Sequence, residues 1–206
     1  MASTSIPDRA TFIRRGLRLE YLTLGWNSLE ALVAVIAGVM AGSIALMGFG
    51  IDSVIESVSG AVLIWRLRTD ADVRRREHVE RIARRLVGMS FFLLTAYVAA
   101  EAISTLLQRE VPERSVPGIA VAIAALIVMP LLARAKHKVA QGLSSGAMHA
   151  DSRQSDLCAY LSAVLLGGLL LNAALGWWWA DPVAGLIMVP IIAKEGVRAL
   201  RGESCG

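Results

Sequence analysis

Long apolar runs separated by short polar segments dominate the chain from residue 20 to residue 200. Six of these runs reach about 20 residues, the length that a helix needs to cross a hydrocarbon core about 30 Å thick. Their approximate ranges are 20–41, 44–66, 83–107, 116–133, 146–175 and 181–200. The pattern predicts an all-α integral membrane protein with a bundle of six transmembrane helices. It divides the chain into an N-terminal segment (1–19), a transmembrane domain (20–200) and a short tail (201–206).

Lysine and arginine residues are concentrated at one side of this predicted bundle. Of the 21 in the chain, 18 lie before the first helix, between the second and third, between the fourth and fifth, or near the C-terminus. Arg109 and Arg114 lie in the opposite loops, and Arg153 lies within the fifth run. Because cytoplasmic loops are enriched in these residues, we expect both termini to be cytoplasmic. In a bacterium, the protein would then lie in the inner membrane.

The composition agrees with a membrane protein and argues against other classes. Apolar residues make up 55% of the chain and charged residues 18%, whereas soluble chains are about 25% charged. The net charge of +4 comes with few aromatic residues and no recognisable nucleic-acid-binding motif, so we expect no nucleic-acid partner. Cys158 and Cys205 are too few for a disulfide framework. The polar N-terminus lacks the apolar region of a cleavable signal peptide.

Acidic residues interrupt three of the apolar runs at a similar depth. Asp52 and Glu56 lie one helical turn apart in the stretch GIDSVIESVSG (50–60) of the second run. Counting from the run ends at 1.5 Å per residue puts both near the middle of the bilayer, together with Glu30 and Asp156. Such residues normally face a bundle interior or a water-filled cavity and mark ion pathways.

One stripe of the fifth run carries further candidate ligands. At 100° per residue, His149, Ser152 and Asp156 share a face, while Asp151 points well away. Cys158 lies about 200° from Asp156, which predicts a core position for its thiol. If the stripe faces the acids of the second helix, the set forms an oxygen-rich site for a divalent cation.

Each of these residues also has a simpler interpretation. Asp52 and Glu56 could make a structural hydrogen bond or ion pair between helices, and Ser152 could serve only in packing. Glu30 could be a ligand or a proton relay, pair with Arg153, or fix contacts of Asn27 and Ser28 between helices. His149 could be a ligand at the cytoplasmic mouth or an ordinary interfacial side chain.

The motifs resemble those of the cation diffusion facilitators. The second helix of that family typically reads Asp-Ser-x-x-Asp, which the stretch 52–56 matches with Glu56 as the second acid. Its fifth helix often reads His-x-x-x-Asp, which places Asp156 at the terminal acid and Ser152 at the histidine position. The resemblance implies six helices, cytoplasmic termini and metal–proton antiport. The soluble C-terminal domain usual in the family is not expected after residue 200.

The main hypothesis is therefore a divalent metal transporter, not an enzyme, which exports zinc, manganese or iron(II) from the cytoplasm in exchange for protons. Asp52, Glu56 and Asp156 would bind the metal with help from Ser152 or His149. Glu30 would act as a proton relay or auxiliary group.

No permanently bound cofactor is expected. The expected partners are divalent metal ions, protons, the lipid bilayer and a second copy of the chain that dimerises through the membrane helices. The alternative is a membrane metal sensor or partner subunit that binds metal without transporting it. An intramembrane aspartyl protease is disfavoured, because the chain lacks a Gly-x-Gly-Asp motif and Glu56 would have no role.

Overall fold

The computed structural model describes residues 6–41, 44–70, 73–109 and 116–201, and these ranges contain six α-helices and no strand. The helices are α1 (Ile6–Ala41), α2 (Ile44–Arg68), α3 (Val73–Gln108), α4 (Val116–Leu143), α5 (Gly146–Leu175) and α6 (Ala180–Arg201). The prediction of an all-helical chain is confirmed for this part. The tail with Cys205, the loop residue Arg114 and the connection at residues 42–43 lie outside the described residues.

Several helices continue well beyond the apolar run that predicted them. Helix α1 begins at Ile6 rather than near residue 20, α3 begins at Val73, and α4 extends to Leu143. An apolar run indicates only the part of a helix that is compatible with the lipid core. The helix itself can continue beyond it where its polar end residues have hydrogen-bond or ion-pair partners. Residues 6–19 are therefore helical and continuous with the rest of α1. The division of the chain into an N-terminal segment, a transmembrane domain and a tail stays a prediction.

Among the residues that the structure describes, four helices are long and apolar enough to cross a membrane: α1, α2, α3 and α4. Helix α5 starts with the polar sequence GAMHADSRQSD, which shortens its apolar part. A crossing by α5 and α6, and the cytoplasmic position of the termini, stay predictions.

Neighbouring helices run antiparallel, and the most extensive packing joins α1 with α2, α4 with α5 and α3 with α6. Helices α2 and α5 also contact each other, and each contacts α3. This up-and-down order gives the bundle two ends. We call the end with the start of α1, the end of α6 and the α2–α3 and α4–α5 connections the termini end. The other is the opposite end.

Ion pairs fasten the termini end. Asp70 accepts hydrogen bonds from Arg9 (2.9 and 2.8 Å) and Arg66 (2.8 Å). Arg66 also binds Glu80 (2.5 Å), which accepts a hydrogen bond from the backbone NH of Ala147 (2.7 Å) at the start of α5. Burial raises the pKa of Asp70, but the hydrogen bond from Arg9 and the nearby guanidinium charges outweigh that effect and lower the pKa below its usual value.

Polar and apolar side chains are arranged as lipid requires. Leucines such as Leu22, Leu29 and Leu32 of α1 point outward and are more than half exposed. Many buried positions are polar instead, including Glu20 and Lys136, which are fully buried. A bundle surrounded by hydrocarbon can expose leucine at no cost, so its charged groups collect inside.

Candidate ion-binding site

Helices α1 and α2 bring three buried carboxylates together halfway along the bundle. Glu30 and Glu56 are fully buried, and Asp52 is 3% exposed. The Ser53 hydroxyl donates a hydrogen bond to Glu30 Oε1 (3.0 Å), which joins the two helices. The antiparallel packing of α1 and α2 thus brings Glu30 next to the polar face of α2 that carries Ser53.

Each of these carboxylates keeps one unsatisfied oxygen. Glu30 Oε2, Asp52 Oδ2 and Glu56 Oε2 are buried and have no hydrogen-bond partner among the described residues. Buried polar atoms are normally paired, because an unpaired one carries its full desolvation penalty. Three such oxygens in one cluster therefore leave room for a cation or for protons.

Helix α5 completes the cluster with a hydroxyl and a thiol. The Ser155 hydroxyl donates a hydrogen bond to Glu56 Oε1 (2.6 Å). The thiol of Cys158, which is 1% exposed, lies 3.9 Å from Glu30 Oε1. The predicted core position of Cys158 is confirmed, and its sulfur also contacts the acid cluster. We refer to Glu30, Asp52, Glu56, Ser155 and Cys158 as the central cluster.

The predicted face of α5 does not meet these acids. The Asp156 side chain is 39% exposed and lies 3.7 Å from Arg153 on its own helix. The Ser152 hydroxyl donates to the His149 carbonyl (2.7 Å), and the His149 ring packs on His137 with ring centroids 5.0 Å apart.

The helix is rotated by about one residue, or about 100°, from the predicted orientation. Asp151, Ser155, Cys158 and Ser162 are buried instead. Their spacing of three and four residues is itself a polar stripe, so the sequence offered a signal for this face. The match of Asp156 to the fifth-helix motif favours the other face, which carries His149, Ser152 and Asp156.

A second buried charge cluster lies nearer the termini end. The Lys136 ammonium of α4 lies 2.6 Å from Asp151 Oδ2 of α5 and 3.2 Å from Glu20 Oε2 of α1. All three side chains are fully buried. From the sequence alone, Lys136 is expected to have only a topological role, because the apolar run of α4 ends at residue 133. We refer to these three residues as the lysine cluster.

A cavity of about 80 Å³ leads from the central cluster toward the opposite end. Asp52 lines it, as do Tyr97 and Glu101 of α3 and residues of α5 and α6. The cavity is large enough to hold water molecules. It is polar near Asp52 and Glu101.

The central cluster is not a closed metal cage in this conformation. Within the described ranges, no three histidine, cysteine, aspartate or glutamate side chains are grouped closely enough to hold a metal ion. Glu30 and Glu56 instead accept hydrogen bonds from Ser53 and Ser155. Metal binding here requires side chains to exchange these hydrogen bonds for coordination bonds.

Comparison with known proteins identifies what kind of protein carries this arrangement. The chain is 27% identical over 194 residues to transmembrane protein 163 of Xenopus laevis, covering 94% of this chain and 69% of that protein. It is 27% identical to an uncharacterized transporter of Methanocaldococcus jannaschii (84% of this chain, 63% of that protein). It is 26% identical to an uncharacterized transporter of Synechocystis (78% and 54%). The chain thus spans between about half and about two thirds of these relatives' lengths.

The pattern of the cation efflux transmembrane domain matches residues 21–203, nearly the whole described bundle. Members of that family are cation transporters and not enzymes. The buried carboxylates of α1 and α2, enclosed among apolar helices, are consistent with that activity. The resemblance to the cation diffusion facilitators is confirmed, and the chain belongs to the cation efflux family of membrane cation transporters.

Proposed function

We propose that this chain exports a divalent metal ion (zinc, manganese or iron(II)) from the cytoplasm in exchange for protons. The observation that carries the proposal is the trio of unsatisfied carboxylate oxygens on Glu30, Asp52 and Glu56. A buried carboxylate needs a cation or a proton to compensate its charge. Metal and protons can therefore replace each other at these oxygens, which is the basis of exchange.

Both hard and borderline metals suit the donor set. Three carboxylates and the Ser155 hydroxyl offer the oxygen ligands that manganese prefers. The thiol of Cys158 at the edge of the cluster adds a soft ligand that favours zinc or iron(II). The proposal therefore replaces Asp156, Ser152 and His149, which lie on other faces of α5, with Ser155 and Cys158.

A route through the bundle follows from the positions of the cavity and the lysine cluster. With six crossings and cytoplasmic termini, the lysine cluster lies on the cytoplasmic side of the central cluster. The cavity beside Asp52 and Glu101 then opens toward the exterior. Rocking of the α3–α6 pair against the other four helices would open each side in turn.

The surroundings of the protein are part of the proposal. The lipid-facing apolar surface of the helices suits an integral multi-pass protein, in the inner membrane if the source is bacterial. Dimerisation would use the membrane helices of a second copy, whose apolar faces can pack against those of the first.

The test is metal uptake into proteoliposomes under an imposed pH gradient, measured separately for zinc and manganese. Asp52→Asn and Glu56→Gln keep the side-chain shape and should lower the uptake rate about tenfold or more. The matched control Asp156→Asn should stay within about twofold of wild type, because its carboxylate is half-exposed and paired with Arg153. Metal binding without flux would favour a sensor, and flux unaffected by the pH gradient would exclude proton exchange.

A further inference from the structure

The ammonium of Lys136 in the lysine cluster is enclosed by residues of four helices. Lys136 of α4 pairs with Glu20 of α1 and Asp151 of α5. A β-carbon at Gly60 of α2 would lie 3.2 Å from Glu20 Oε2, so α2 also closes over the site. An ammonium between two carboxylates of different helices, shielded from solvent, occupies the kind of position that a bound metal ion takes.

Lys136 alone does not neutralise the two carboxylates of this cluster, so a proton or a further positive charge is needed beside it. Two carboxylates face one ammonium, and Glu20 Oε1 and Asp151 Oδ1 are buried without a hydrogen-bond partner among the described residues. A purely structural ion pair gains little over apolar packing, and unsatisfied oxygens weaken it further. A dication bound to both carboxylates would neutralise them without the ammonium and without a proton.

A continuous polar stripe connects the lysine cluster to the central cluster. Glu20, Thr23, Asn27 and Glu30 follow one face of α1 at spacings of three and four residues, and all are fully buried. Both side-chain amide atoms of Asn27 lack partners within the described part of the chain. Ten residues of helix separate Glu20 from Glu30, or about 15 Å, so the two clusters are consecutive positions along one path.

We propose that Glu20 and Asp151 form a second divalent-cation site, on the path between the termini end and the central cluster, in which the Lys136 ammonium stands in for the metal. The cargo passes this point only by displacing Lys136, which swings aside on its flexible four-carbon chain. The site thus acts as an ion-exchange gate. This inference rests on the proposed transport function for its cargo, but its binding test does not depend on flux.

The first experiment counts bound metal in purified full-length protein by equilibrium dialysis against zinc and against manganese. Lys136→Gln removes the resident cation and should bind about one more ion per chain than wild type. Adding Asp151→Asn to Lys136→Gln should remove that extra ion. Lys138→Gln, an exposed lysine on the same helix, is the matched control and should bind as wild type does. Equal stoichiometry in Lys136→Gln and wild type would overturn the inference.

A second measurement uses the wild-type chain and does not depend on the folding of a variant. An amine-acylating reagent is applied with and without saturating manganese, and modification of each lysine is read by mass spectrometry. Manganese should raise the labelling of Lys136 severalfold and leave that of Lys138 unchanged. If metal leaves Lys136 labelling unchanged, the ammonium is a fixed structural group and the gate is excluded.

The two proposals fail in different ways. The central cluster is judged by the metal bound to wild type and its loss in Asp52→Asn. The second site is judged by the difference in the number of metal ions bound per chain between Lys136→Gln and wild type. A wild type that binds no metal at the central cluster contradicts the proposed function, whereas an absent difference contradicts only the second site.

Discussion

The hydroxyl of Ser155 lies 2.6 Å from Glu56 Oε1 and joins α5 to α2 at the middle of the bundle. This single hydrogen bond defines which face of α5 meets the acids. It places Cys158, one turn further along α5, beside Glu30 and leaves Asp156 half-exposed. The side chains available to a cation therefore differ from those that the family motif suggests.

Ser155→Ala should weaken metal transport for two reasons. It removes the hydrogen bond that orients the Glu56 carboxylate, and it removes the hydroxyl oxygen that we propose as a metal ligand. We expect the KM for metal to rise about tenfold, in the range seen when partners of metal ligands are removed. Ser152→Ala is the matched control. Within the described ranges, its hydroxyl donates to the His149 carbonyl of its own helix and to no acid of the central cluster, so KM should hold within about twofold. A larger effect in Ser152→Ala than in Ser155→Ala would restore the face of α5 predicted from the motif.

Cys158→Ser should change metal preference rather than abolish binding. A thiolate is a good ligand for zinc and a poor one for manganese, whereas a hydroxyl suits manganese at least as well. In a competition assay on purified protein, we expect the ratio of zinc to manganese affinity to fall about tenfold. An unchanged ratio would mean that the thiol contacts Glu30 without reaching the metal.

Gly48→Ala should destabilise the bundle around the cavity. A β-carbon there would overlap the Tyr97 hydroxyl and the Glu101 carboxylate, so both side chains would have to turn away from Gly48 and give up their present contacts. Gly25→Ala, on the outer face of α1, meets nothing within 4 Å and provides the control. We expect a lower melting temperature in detergent for Gly48→Ala alone, together with reduced transport.

Asp70 should make the stability of the termini end depend on pH. Its pKa is lowered in the folded protein, so its contribution is present above the unfolded value of about 4 and is lost as the pH falls through the folded value. The melting temperature of wild type should therefore fall more steeply than that of Asp70→Asn as the pH decreases from about 5 to about 3. Asp70→Asn should already be less stable at pH 7. Parallel curves for the two proteins would show that the ion pairs of Asp70 contribute nothing.

The membrane-protein class and the depth of the acids were predictable from the sequence because both depend on spacing along the chain. A helix of known rise converts residue number into depth, so Glu30, Asp52 and Glu56 could be expected at one level. Apolar runs likewise predicted six helices. They could not predict that α1 begins at Ile6, because its polar first turns are held by ion pairs to distant residues such as Asp70.

The rotation of each helix about its own axis was decided only by tertiary packing. Helix α5 carries polar residues on two faces, and the sequence of the helix alone does not determine which of them points into the bundle. Contacts with α2 and α4 bury Ser155 and Asp151 and leave Asp156 at the surface. The burial of Lys136 could not be predicted for the same reason. A lysine at the polar end of a helix is expected to be solvated, and only the packing of α1 and α5 places two carboxylates around it. The depth of a residue in the bundle follows from its position along its own helix, whereas the direction of its side chain depends on how that helix packs against its neighbours.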